Sequence, residues 1–81
     1  MSKLRRLSGR DVLTILHGFR FRQTAQRGSH VKLVRELTGS RQVLTIPLHT
    51  ELDTETLRAI VRQAGRFISE ADLYTHFYAD S

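Results

Sequence analysis

Cysteine is absent from the 81 residues, and proline occurs only once. Without thiols there is no disulfide framework and no thiolate metal site, so apolar packing alone has to hold the core. That core is small: a chain of this length buries only roughly 60–65% of the surface its unfolded form exposes, enough for one sheet and a few helices. Also missing is an apolar run long enough for a membrane span or a signal peptide, since the opening "MSKLRRLSGR" is cationic. A soluble, cytoplasmic protein with no membrane partner is the expectation. There is no Gly-rich phosphate loop, no His-x-x-x-His or Cys pair and no Gly-x-Ser-x-Gly elbow. Nucleotide hydrolysis, zinc chemistry and serine-hydrolase chemistry therefore lack motif support, and no metal or small-molecule cofactor is expected.

Acidic residues are scarce in one half of the chain. The 13 Lys and Arg against 8 Asp and Glu leave a net charge of +5. Residues 1–42 hold ten of those cations and only two anions, Asp11 and Glu36, a balance of +8, whereas residues 43–81 carry −3. A basic half in which arginine outnumbers lysine points to a polyanion partner held through fork-like phosphate contacts. By charge alone, a well-solvated surface fits the numbers equally.

What is present is a clear alternation of periods. "SGRDVLTILHG" (8–18) opens with Ser8 three residues before Asp11, a capping-box spacing, and sets Val12, Leu13, Ile15 and Leu16 on one helical stripe, with Gly18 as its stop. "FRFRQTA" (19–25) alternates Phe19 and Phe21 with Arg20 and Arg22, a strand with one oily and one cationic face. After the turn "RGS", the run "HVKLVREL" (30–37) alternates Val31, Leu33 and Leu37 with His30, Lys32 and Glu36, although Val34 and Arg35 break the strictness. After "TGSR", the run "QVLTIPLH" (42–49) places Leu44, Ile46 and Leu48 on one face. Pro47 cannot donate to a ladder, so this third strand belongs at an edge. "DTETLRAIVRQAG" (53–65) reads as a helix capped by Asp53, buried through Leu57, Ile60, Val61 and Ala64 and stopped by Gly65. "SEADLYTHFYA" (69–79) reads as a short last helix that gives Leu73, Phe77 and Tyr74 to the core.

The order α-β-β-β-α, plus a short C-terminal helix, predicts an α+β domain over residues 1–81: a three-stranded antiparallel meander with helices on one face. Only residues 1–7 and 80–81 look loosely held. The uncovered face then carries His30 and Lys32, with Arg20 and Arg22 on the neighbouring strand if Phe19 and Phe21 point inward.

Histidine is what remains for chemistry. His17 suits a helix C-terminus and His76 lies in the last helix, positions where capping or surface roles prevail; His49 ends the edge strand, where an RNA contact and a plain loop role both fit. His30 follows Gly28 and Ser29 at a turn, between Arg27 and Lys32, where phosphate would be drawn to an imidazole. On spacing alone, a histidine that begins a strand is more often structural or superficial than catalytic.

In "LSGRDVLTILHGFRF", "QRGSHVKL", "LTIPLH" and "TLRAIVRQAG", taken in this order, the sequence resembles the HicA or YcfA-like family of small toxins over nearly its whole length. The resemblance implies a double-stranded-RNA-binding-domain-like fold and a toxin of a type II toxin–antitoxin system. It further implies an endoribonuclease that cleaves mRNA and stops translation, neutralised by a HicB-type antitoxin. The family's key histidine, in Gly-Ser-His, falls on His30; Gly28 and Ser29 match the rest of that motif, and His49 matches the histidine that closes strand three. An imidazole suits proton transfer near neutral pH, which gives His30 as general acid or base with Arg20, Arg22, Arg27 and Lys32 positioning phosphate. The second helix departs from the family, since its start is acidic ("TELDTETL") where lysines are common. Those carboxylates repel phosphate, so RNA is not expected on that helix's N-terminus, unlike in an ordinary double-stranded-RNA-binding domain. The other departure is arginine in residues 1–27 where family members often have lysine, which keeps the sign of the field. Two other readings compete: a non-catalytic RNA-binding module of the same fold, and an interaction partner whose basic surface exists to be covered by an acidic antitoxin.

Overall fold

The computed structural model describes residues 2–80. Its elements run β1 (Ser2–Leu4), α1 (Gly9–Gly18), β2 (Arg22–Arg27), β3 (His30–Leu37), β4 (Ser40–Pro47), α2 (Thr54–Ala64), α3 (Glu70–Phe77) and β5 (Tyr78–Asp80). β2, β3 and β4 form an antiparallel sheet in that order, with β4 at an edge as Pro47 requires. α1 and α2 both pack against β4, on one face of the sheet. The architecture is the α+β layout expected, with a three-stranded sheet and a C-terminal helix.

The helices begin where their side chains can satisfy the orphan amides. Ser8 Oγ accepts from the Asp11 N–H at 3.0 Å, while the Asp11 carboxylate accepts from the Ser8 N–H at 2.9 Å, closing the capping box. Asp53 Oδ1 accepts from the Thr56 N–H at 2.7 Å, and Ser69 Oγ from the Asp72 N–H at 3.2 Å. These bonds hold the Asp11 and Asp53 carboxyls below their ordinary range.

One apolar cluster joins the elements. Val12 and Leu16 of α1, Leu57, Ile60 and Ala64 of α2, and Leu73 and Phe77 of α3 close over Val31, Leu33, Leu44 and Ile46 of the sheet. Each such aliphatic residue contributes roughly 1.5–3 kcal/mol relative to an exposed one. Gly9 is fixed by this packing: a Cβ there would run into the Pro47 carbonyl oxygen and come within 2.7 Å of the Leu48 Cα.

Several expectations need correction. The strand expected over 19–25 is β2, which starts at Arg22 and not at residue 19, because Phe19 caps α1 and half-buries its ring edge-on to His76 at 5.2 Å. Phe21 goes fully into the core from the connecting turn. The left-handed residue after α1 is Arg20 (φ 74°) rather than Gly18, whereas Gly65 does stop α2 as expected, in a right-handed conformation. The last helix ends at Phe77, and Tyr74 is exposed, its ring stacked on Tyr78 at 4.7 Å. Leu37 is exposed as well, since it lies at the far tip of the β3–β4 hairpin.

Residues 2–7 are not loosely held. β1 pairs antiparallel with β5, in register Ser2 with Asp80 and Leu4 with Tyr78. The Arg5 N–H donates to the Phe77 carbonyl at 2.9 Å, its guanidinium donates to the His76 carbonyl at 2.8 Å, and Leu7 is buried in the core. Residues 1 and 81 lie outside the described residues.

Candidate nucleic-acid interface

Since Val31 and Leu33 enter the core, His30, Lys32, Val34 and Glu36 emerge on the opposite, uncovered face of β3. Cross-strand register assigns their neighbours. Arg27 and Pro47 flank His30, Ala25 and Thr45 flank Lys32, and Arg22 and Val43 flank Val34. Residues directly opposite share a face, with Cβ atoms about 4.5–5.5 Å apart. His30 and Arg27 therefore form one row, and Lys32 stands in the next.

Strict alternation along β2 would send Arg22 and Arg27 to opposite faces, because they are an odd number of residues apart. A bulge between Gln23 and Ala25 inserts Thr24 as an extra residue and reverses the phase. Both arginines thereby reach the open face. The bulge leaves no signature in the composition of "RQTAQR", so the sequence gives no notice of it.

The turn ahead of His30 depends on Gly28. Gly28 has φ 58° while Ser29 stays at negative φ, the type II′ requirement, and Gln26 Nε2 donates to the Gly28 carbonyl at 3.0 Å. Ser29 contributes through its backbone: its carbonyl accepts from the Leu48 N–H at 2.6 Å, and the His49 carbonyl accepts from the Gly9 N–H at 2.9 Å. The start of α1, the Gly-Ser-His turn and the end of β4 thus meet at one end of the sheet. His49 is exposed there, and its charge is one of the smaller influences that lower the Asp53 carboxyl.

The structure brings Arg22, Arg27, His30 and Lys32 together on one face and keeps Gly28 and Ser29 at its end. Arg20 falls off the ladder, in the turn ahead of β2. Among the described residues, no hydrogen bond or ion pair engages the side chains of Arg20, Arg22, Arg27, His30 or Lys32, although the Thr24 hydroxyl donates to the Lys32 carbonyl at 3.5 Å. Arg35, an interruption in the sequence pattern, is different. Its guanidinium donates to the Phe19 carbonyl (3.1 Å), the Phe67 carbonyl (2.8 Å) and Gln42 Oε1 (2.8 Å), and lies 4.8 Å from the Phe21 ring centre. It cements the covered face and is not available to an anion.

No helix among the described residues is long and apolar enough to cross a membrane. The family model described as "HicA toxin of bacterial toxin-antitoxin" matches residues 9–65, from the glycine that opens α1 to the glycine that closes α2. No curated protein matches the chain. With the helix start, the Gly-Ser-His turn and the strand-four end assembled around one open basic face inside the matched span, the chain belongs to the HicA family of toxins of bacterial toxin–antitoxin pairs.

Proposed function

We propose that this toxin is a metal-independent endoribonuclease that cleaves mRNA, stops translation, and is neutralised by a HicB-type antitoxin that covers the open sheet face. The observation that carries the proposal is the exposed, unpartnered His30 in register with Arg27 and one row from Lys32.

RNA carries its own nucleophile, so the protein has only to move protons and stabilise charge. The ribose 2′-oxygen attacks the adjacent phosphorus as its proton leaves to a base. The P–O5′ bond breaks and the 5′-oxygen takes up a proton, giving a 2′,3′-cyclic phosphate and a 5′-hydroxyl. His30 serves as the acid or the base of this step, worth roughly 10²–10⁴ in rate. Arg27 and Lys32 hold the phosphate oxygens on which charge develops. His49 lies beyond the end of β4 and offers a contact to the RNA strand there.

The test is cleavage of labelled mRNA by the purified protein with EDTA present, wild type beside His30→Ala. Wild-type products and a loss of at least about a hundredfold in the variant, with unfolding temperature and antitoxin binding retained, are expected. Undiminished cleavage by the variant sinks the assignment of His30. Retention of RNA without cleavage by wild type selects the non-catalytic binding module instead.

A further inference from the structure

β3 outruns β2. The β2–β3 ladder ends at the pair Arg22 and Val34, whereas the β3–β4 ladder continues to Leu37 and Ser40. The chain turns away at Phe21, which dives into the core, and a notch of about 570 Å³ opens beside the last residues of β3. Arg20, Arg22 and Arg41 line it together with the Glu36 carboxylate, and Val34 and Leu37 are its apolar lining. Val34 is only 6% exposed yet stands apart from the core cluster, on the open face. Among the described residues, the guanidinium groups of Arg20 and Arg22 have no partner. Arg41 has only a loose, exposed contact with Glu36 at 3.7 Å.

We infer that this notch is a second RNA subsite, which takes a phosphodiester and its base from the same single strand that His30 acts on. The inference rests on the proposed nuclease reading for the His30 end. Free planar guanidinium groups suit phosphate oxygens, and an apolar lining suits the face of an unstacked base. Val34 is four positions along β3 from His30, which at a rise of about 3.3 Å per residue is roughly 13 Å. Lys32 lies between them on the same face, so cations continue from the notch to His30. That continuity favours a nucleic-acid strand over an isolated acidic peptide. The substrate must then be a run of several unpaired nucleotides, and its length is read at the notch.

The test measures affinity for 2′-O-methyl oligouridines of two lengths, a tetramer and a dodecamer, which lack the nucleophile and stay intact. Arg20→Asn together with Arg22→Gln removes both charges, and asparagine accepts the left-handed backbone at position 20 better than most residues. The preference of wild type for the dodecamer is expected to shrink roughly five- to tenfold in that double variant. Lys32→Gln, beside His30, is expected to weaken both lengths alike. Equal weakening of both lengths by the double variant overturns the subsite. Loss of antitoxin binding with RNA binding intact overturns it in favour of a protein partner. Failure of wild type to bind either RNA removes the nuclease reading itself, and the subsite with it.

Discussion

Arg35 and Arg22 stand on the same three-stranded sheet, and they have opposite fates. Arg35 emerges on the covered face, where two backbone carbonyls, one amide oxygen and an aromatic ring use its whole guanidinium. Arg22, with Arg27 and Lys32, emerges on the uncovered face and, among the described residues, has no partner at all. A cation count over residues 1–42 merges the two situations. Sorting by face separates a charge that holds the fold together from charges that remain free to meet an anion. The difference also predicts which property each set controls.

Salt should split them most strongly. With about four to six phosphate contacts to single-stranded RNA, a log–log plot of affinity against salt has a slope of roughly −3 to −4, a loss of about 10³–10⁴ over a tenfold rise. The unfolding temperature should not fall in parallel, because the ion pairs among the described residues, Arg41 with Glu36 and Arg58 with Glu55, are exposed. A flat binding response would take the open face out of RNA recognition.

Substitution should split them next. Arg35→Ala strands the Phe19 and Phe67 carbonyls and Gln42, and is expected to cost about 2–4 kcal/mol in urea unfolding. Arg27→Ala, on the other face, should stay within about 0.5 kcal/mol. Equal costs at the two positions would mean that the open face is stabilising in its own right and that its cations are not spare.

These faces were only partly legible in the sequence. The alternation of Val31 and Leu33 with His30 and Lys32 was enough to set the phase of β3, and Pro47 was enough to put β4 at an edge. Helix starts were legible because caps are local: Ser8, Asp53 and Ser69 each bond a backbone N–H three residues on. The bulge at Thr24 was not legible, since no residue type in "RQTAQR" requires one. The pairing of β1 with β5 joins the two ends of the chain through strands of three residues, too short to show a period. Arg35 looked like a defect in the alternation because its role depends on carbonyls from Phe19 and Phe67, which only the folded chain brings to it.

Acid gives the smallest effect and the finest test of the covered side. Asp53 lowers its pKa chiefly through hydrogen bonding from Thr56, and Asp11 does so through Ser8. A carboxyl whose folded pKa lies below its unfolded value of 3.8 stabilises the fold fully above that value, and loses the contribution as pH falls through the lower, folded pKa. Thermal stability should therefore decline below about pH 4 as the two helix caps protonate. Asp53→Asn keeps an amide oxygen for the Thr56 N–H, and asparagine caps about as well as aspartate, but nothing at that position then titrates in acid. The variant should match wild type near neutrality apart from the small helix-dipole term of the lost charge, and show a shallower decline between pH 4 and pH 2. An unchanged decline would mean that acid acts elsewhere, and would detach the α2 cap from the pH response of the covered face.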